Sequence, residues 1–343
     1  MIINYDKLPE IDKLKYVDLS DDLFVCALGF ENRCVGAPRL LAKNDYKTKN
    51  TIILKYDVHE EDNNVNYYEL KELIDHITLN NVIEISYKTN DVESFYTDSK
   101  GFKKITNKLY DDWSMKKISV DISSFTTIAI IQILDYLFTL NVNKIRIIYT
   151  EAEKYYPKDI QKADEEEYIS SGVKNILSVP KFSGIHTPGY SQLLIVLLGF
   201  EPIRTRGIFN ILQPSRKIGI IGKPSRTDLK WRLNLLSRMY KNVFGDQDEI
   251  LMLSEFNYIE VFKALEEIYD KYGQVNNMTI TPLGSKMQTI AVLLFLRNHP
   301  DVQLLVSIPI KYDPRRYSEG IGDSFQLAFF LKNKGNKDYS FAN

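Results

Sequence analysis

Leu23–Leu28 (LFVCAL) runs into Gly29-Phe30-Glu31, and Leu193–Leu198 (LLIVLL) runs into Gly199-Phe200-Glu201. Each is a short apolar run stopped by a glycine, the mark of a strand buried on both faces. The surroundings of the two copies follow the same order. After the first, Thr51–Tyr56 and Val82–Tyr87 read as strands, with Leu70, Leu73, Ile74 and Ile77 at helical spacing between them. Phe102, Ile105, Leu109 and Trp113 mark another helix; Ile118–Ile122, a helix over 127–140 and Lys144–Tyr149 complete the half. After the second copy, Lys217–Ile221, Glu249–Leu253, Met278–Thr281 and Gln303–Ile308 read as strands. Leu229, Leu233, Leu236 and Tyr240 form one helical stripe between them, and Val261 to Tyr272 another, with Gly273 expected as its C-cap. A helix over Met287–Asn298 follows.

Strands alternating with helices of this length predict an α/β chain of two tandem Rossmann-like units with mostly parallel sheets. Residues 118–157 and 278–317 align without a gap, which together with the repeated LGFE predicts an internal duplication. The expected division is 1–157 for the first unit, 158–187 for a connector and 188–343 for the second unit. The acidic Asp164-Glu165-Glu166-Glu167 falls in the connector and reads as a solvated helix face.

Composition narrows the function classes. The chain of 343 residues is 44% hydrophobic and 26% charged, with 16 Gly and 12 Pro, which excludes disorder and low-complexity scaffolds. Two cysteines, Cys26 and Cys34, and four histidines give little material for a disulfide framework or a zinc centre. The N-terminal 14 residues lack the apolar stretch of a signal peptide, and no apolar run approaches membrane-spanning length. The expectation is a soluble, cytoplasmic protein with no membrane partner. The formal net charge of −1 conceals 23 Lys+Arg against 30 Asp+Glu in residues 1–177, and 21 against 15 in residues 178–343. Either two surfaces have drifted apart, or the second half meets an anion such as phosphate.

In an open parallel sheet, ligands bind beyond the carboxyl ends of the strands. That rule nominates the loops Gly29–Arg33, Asp121–Thr127, Gly199–Arg206 and Thr281–Lys286. The last joins Gly284, Ser285 and Lys286 at a helix start, the parts of a phosphate cradle without the spacing of a Walker A motif. Its plain alternative is a Ser N-cap followed by an exposed Lys. Its counterpart carries Asp121, Ser123, Ser124 and Thr126, hydroxyls that either cap a helix or touch a ligand. Asp121, Glu31 and Glu201 are the candidate acids and bases. Arg33, Arg204, Arg206, Lys223, Arg226, Arg232, Lys311, Arg315 and Arg316 are candidate anion ligands, with ion pairing to Glu31 and Glu201 as the rival account. Among the histidines only His186 is placed for catalysis.

Those loops, above all Ile280-Thr281-Pro282-Leu283-Gly284-Ser285-Lys286-Met287 and more loosely Val120–Thr127, resemble the CARF-type Rossmann fold of prokaryotic antiviral defence. The resemblance implies a sensor of cyclic oligoadenylates, bound by loops after the first and fourth strands. Two such units in one chain are similar to the pseudo-dimeric SAVED arrangement. By that resemblance Ser285 and Lys286 map onto ligand-contacting positions, and Glu31 to Arg33 and Glu201 to Arg206 more loosely. The first half departs from the pattern, having neither the Gly nor the Lys of the motif loop, and no separate effector domain is left over.

Three readings stand. The first is a nucleotide-binding sensor module for a nucleotide or other phosphate-bearing small molecule. The second is a phosphodiesterase or nucleotide-cleaving enzyme using Asp121, Glu31 or Glu201, for which carboxylates would admit a Mg²⁺. The third is a non-catalytic interaction subunit bound to a partner defence protein. Contact between the basic half and nucleic acid stays open, although the aromatic-and-basic interleaving of single-strand binders is absent.

Overall fold

The computed structural model describes residues 5–14, 20–58, 60–98, 101–155, 170–312 and 318–330. The first half forms β1 (Ser20–Leu28), α1 (Gly36–Lys43), β2 (Lys47–Tyr56), α2 (Tyr67–Ile77), β3 (Thr78–Tyr87), α3 (Phe102–Leu109), β4 (Lys117–Asp121), α4 (Thr127–Leu137) and β5 (Lys144–Thr150). The second forms β6 (Asn175–Ser178), β7 (Ser191–Leu198), α5 (Pro202–Leu212), β8 (Arg216–Lys223), α6 (Lys230–Tyr240), β9 (Glu249–Ser254), α7 (Tyr258–Tyr272), β10 (Asn276–Pro282), α8 (Lys286–Asn298) and β11 (Gln303–Ile308), and β12 (Ser324–Phe330) ends the described chain.

One sheet runs β3-β2-β1-β4-β5-β12, with the two-residue strand Asp12–Lys13 antiparallel on the far side of β12, and the other runs β9-β8-β7-β10-β11-β6. In each, the first five strands of the half are parallel in the order 3-2-1-4-5, so the predicted α/β architecture of two Rossmann-like units is present. The two central strands of each half are apolar because helices cover both their faces. The helix after the fourth strand is buried almost all round: Ile128–Leu137 in α4 and Met287–Leu296 in α8. That is why these two helices show no polar stripe.

The sixth strands depart from the expected division. β12 pairs antiparallel with β5, from Ser324↔Thr150 to Phe330↔Lys144. β6 pairs antiparallel with β11, from Leu305↔Ser178 to Ile308↔Asn175. Each half therefore lends the strand that follows its fifth strand to the other half's sheet. Compact packing divides the chain accordingly, into 1–155 with 318–343, and 156–317. The expected second unit, 188–343, thus loses its last strand and gains β6 from the expected connector. The acidic stretch Asp164–Glu167 lies outside the described residues.

One smaller expectation also changes. The third helix stops at Leu109, because Tyr110 is extended (φ −148°) and Asp112 turns the chain by accepting from Ser114 N at 2.8 Å. Trp113 packs edge-on to Tyr110, ring centroids 5.0 Å apart, instead of continuing the helical stripe. Gly273 is the C-cap of α7, as expected, in a right-handed conformation (φ −62°), its N–H bonded to the Tyr269 carbonyl. Its lack of a side chain admits the Tyr269 ring, which a Cβ would meet at 2.9 Å.

Candidate functional site

With strand order 3-2-1-4-5, the direction of winding reverses between the first and fourth strands, and the exits of β1 and β4, and of β7 and β10, are the switch points. The two glycines of the repeated LGFE sit there. A Cβ on Gly29 would lie 2.8 Å from Ser124 Cβ, and one on Gly199 would run into the Leu283 carbonyl oxygen. Leu283 N donates to Leu197 O at 2.9 Å, tying the two loops together. Glycine is what lets the loop after the first strand touch the loop after the fourth.

In the first unit, the candidate site residues are engaged with one another. Arg33 Nη2 donates to both Glu31 oxygens at 2.8 Å, in a pair only 6% and 7% exposed. Ser318 Oγ also donates to Glu31, and Arg33 Nη1 reaches Tyr149 OH at 3.3 Å. Burial works against the Arg33 charge, yet Glu31 outweighs it and holds the guanidinium pKa above its ordinary value. Arg33 Nε has no partner. Asp121, 1% exposed, accepts from Ser123 N at 2.9 Å and from Ser123 Oγ, which itself accepts from Thr150 N at 2.8 Å. Ser124 Oγ donates to Ala27 O at 2.8 Å, and Thr126 caps α4 by accepting from Ala129 N at 3.2 Å. Asn66 Nδ2 donates to the loop carbonyls of Gly29 (2.8 Å) and Glu31 (3.4 Å). Cys34 lies beside this loop, its thiol pushed up to about 12 by burial, with Asp121, Glu31 and Glu69 adding to the shift.

In the second unit, Glu201 and Arg204 form the matching buried pair, and Arg204 also reaches the Ser307 carbonyl. The predicted cradle is a capping box. Gln288 N donates to Ser285 Oγ and Ser285 N to Gln288 Oε1, both at 3.1 Å, while the Ser285 hydroxyl donates to Glu255 O. Gly284 is small because a Cβ there would strike Gln288 Oε1. The Ser285 hydroxyl thus donates to one backbone group and accepts from another within the fold.

The cations around it differ. Lys286 is half-buried at the first position of α8, where the helix dipole favours an anion. Lys223 and Arg206 are exposed, Arg226 pairs with Asp228 at 2.7 Å, and Arg232 lies 4.4 Å over the Phe200 ring. Of Lys311, Arg315 and Arg316, the side chain of the first and the whole of the other two lie outside the described residues. His186 is exposed in a loop.

Glu255 and Phe200 were not nominated from the sequence, yet they knit the exits of four strands. Gly222 at the end of β8 sits so close to Glu255 that a Cβ would come within 2.9 Å of the Glu255 Cβ. Ser285 bonds the Glu255 carbonyl, and Phe200 carries Arg232. Burial pushes the Glu255 carboxyl pKa up, against the pull of Arg232 and Arg226. The position right after the third strand was the available signal.

Among the described residues, no group of three or more His, Cys, Asp or Glu side chains could hold a metal ion, and no helix is long and apolar enough to cross a membrane.

No protein-family model matches the sequence, and no curated protein matches it. Among solved structures, the chain is similar in fold to a type III CRISPR defence DNA nuclease activated by cyclic oligoadenylate. The match has a TM-score of 0.51 at 7% identity and covers 87% of this chain and 67% of that one. A universal stress protein from Archaeoglobus fulgidus matches with a TM-score of 0.23 at 11% identity, covering 84% of this chain and 96% of that one.

Proposed function

We propose that the chain is a nucleotide-sensing module of prokaryotic defence, taking a phosphate-bearing ligand of the cyclic oligonucleotide class at the carboxyl ends of its parallel strands. The observation that carries this reading is the second unit's strand exits, where Lys223, Arg226, Arg232 and Lys286 gather about the loop of Glu255. Such a gathering of cations suits phosphates. The fold likeness to a nuclease activated by cyclic oligoadenylate supplies the ligand class. The enzyme reading has less support: Asp121, Glu31 and Glu201 are all buried and bonded to neighbours. A sensor of this kind would act through a partner defence protein.

The test is calorimetric titration of the full chain with cyclic and linear oligoadenylates, repeated with Lys286→Ala. Saturable binding of a cyclic species is expected, weakened in the variant by about 1.5–3 kcal/mol, the range for bonds to charged groups. No binding of any cyclic species, or turnover of the added nucleotide, would defeat the sensor reading.

A further inference from the structure

Four strands end the two large sheets, and three of them are blunted. The strand Asp12–Lys13 is two residues long and β6 is four. β3 is longer but carries an extra residue, taking three steps from Thr78 to Asn81 against two from Thr48 to Asn50 on β2. Asn80, Asn81, Glu84 and Ser86 are exposed along it. Short strands, bulges and polar side chains keep an unpaired edge from joining another chain.

β9 has none of these devices. Glu249-Ile250-Leu251-Met252-Leu253-Ser254 holds no Lys, Pro or Gly. Its register with β8 is unbroken over six pairs, from Ile218↔Glu249 to Lys223↔Ser254. Its one charge, Glu249, is at the first position, where it accepts from Tyr272 OH at 2.6 Å and pairs with Arg216 at 3.5 Å. Ile250 and Met252, two residues apart and so on one face, are 40% and 51% exposed. The apolar cluster on that face takes in Ile221 of β8, the register partner of Met252, but stops short of Met252 itself. Glu255 N donates to Lys223 O at 3.1 Å, so Leu251 and Leu253, in step with Glu255, turn their backbone groups to β8. Ile250 and Met252 turn theirs outwards, where no described strand meets them.

We propose that β9 is a dimerisation edge: a second copy of this chain pairs with it antiparallel about a two-fold axis through Leu251, joining the second-unit sheets of the two copies. The strand is complementary to itself in that register, as a two-fold interface demands. Ile250 of each copy stands opposite Met252 of the other, two apolar pairs at the positions whose backbone groups point outwards. Antiparallel pairing also sets opposite charges together. Asp246, exposed in the turn before the strand, comes to the strand's exit in the other copy, where Lys223 is exposed beside Ser254. The contact is one strand long, which places the dimer in the weak, concentration-dependent class. It involves no ligand, so it stands or falls apart from the sensing reading.

Sedimentation of the full chain over a concentration series tests it, together with cysteine crosslinking. The chain should pass reversibly from monomer to dimer as concentration rises. Met252→Lys should raise the dissociation constant about tenfold or more, because two cross-strand pairs are lost at once. At a concentration where the unaltered chain is monomeric, this variant should melt at the same temperature, since residue 252 is half exposed. Leu251→Cys lies on the axis, where opposed Cα atoms of a non-bonded antiparallel pair are about 4.5 Å apart, within disulfide reach. It should crosslink the two copies on mild oxidation, and Leu253→Cys, two residues off the axis, should not. Cys26 and Cys34 are buried and do not compete. A monomer at every concentration overturns the proposal and leaves the edge to a different chain. A dimer that Met252→Lys leaves intact overturns it, and so does equal crosslinking, or none, at the two cysteine positions.

Discussion

Glu31→Ala should unfold the first unit far more readily than it changes any binding. The Glu31–Arg33 pair is bidentate at 2.8 Å and only 6–7% exposed, so removing the carboxylate leaves a guanidinium buried beside Tyr149. Breaking a buried pair from one side costs about 3–5 kcal/mol, because the remaining charge keeps its desolvation penalty. Replacing both partners with apolar residues of similar size, Glu31→Leu with Arg33→Met, should cost far less, since such exchanges are often near neutral. The full chain is not expected to unfold in one step. The assay is therefore urea unfolding followed by Trp113 fluorescence in a Trp231→Phe background, where the buried Trp113 reports the first unit alone. A loss below about 1 kcal/mol for Glu31→Ala, the scale of an exposed pair, would refute the argument. It would return Glu31 to the list of groups available to a substrate.

Asp121→Asn should lower stability by about 1–3 kcal/mol, the cost of a weakened buried acceptor, as read from the same urea titration; retained stability with lost activity would restore its catalytic candidacy. Gly199→Ala should cost more than Gly29→Ala, because the first drives a Cβ into backbone at Leu283 and the second into the Ser124 side chain; about 3 against 1 kcal/mol is the scale of overpacking, and equal losses in thermal melts would count against the close loop contact. Cys34 titrates higher when folded than when unfolded, so its contribution is complete below about pH 8.5 and is lost as pH rises towards about 12. Cys34→Ala should accordingly flatten the alkaline fall in stability, and the native thiol should resist alkylation until the protein unfolds.

The parallel core of each half was legible because a buried strand and an amphipathic helix write their own local patterns. The LFVCAL and LLIVLL runs, and the glycines that end them, landed on the switch points. The partner of an antiparallel strand added to a parallel sheet is not written locally. Ser324–Phe330 (SFQLAFF) has strand-forming residues, but nothing within it specifies β5 over β11. The signal was the repeated Ser-x-Gly-Val/Ile at 170–173 and 318–321, whose spacing differs from that of the LGFE copies. At the candidate site, residue type was a poor guide to availability. Arg33 and Arg204 look like anion ligands until their burial against Glu31 and Glu201 is seen, whereas Lys223 and Lys286 stay at the strand exits. Glu255 was passed over because attention rested on the first and fourth strands, although the loop after the third meets them.

The exchange of sixth strands bears on the order in which the chain can be finished as it is made. The first five strands of the first half emerge from the ribosome early, yet the strand that closes their β5 edge, β12, comes after the whole second half. Until residues 324–330 arrive, the row of backbone groups along Lys144–Thr150 has no partner, and an unpaired edge invites pairing with other chains. The second half has no such wait, since β6 precedes its own five strands. A chain cut short after β11 would hold a complete second sheet beside an unclosed first one. Truncated translation products should therefore aggregate or draw chaperones through the first half, while the second half folds on schedule.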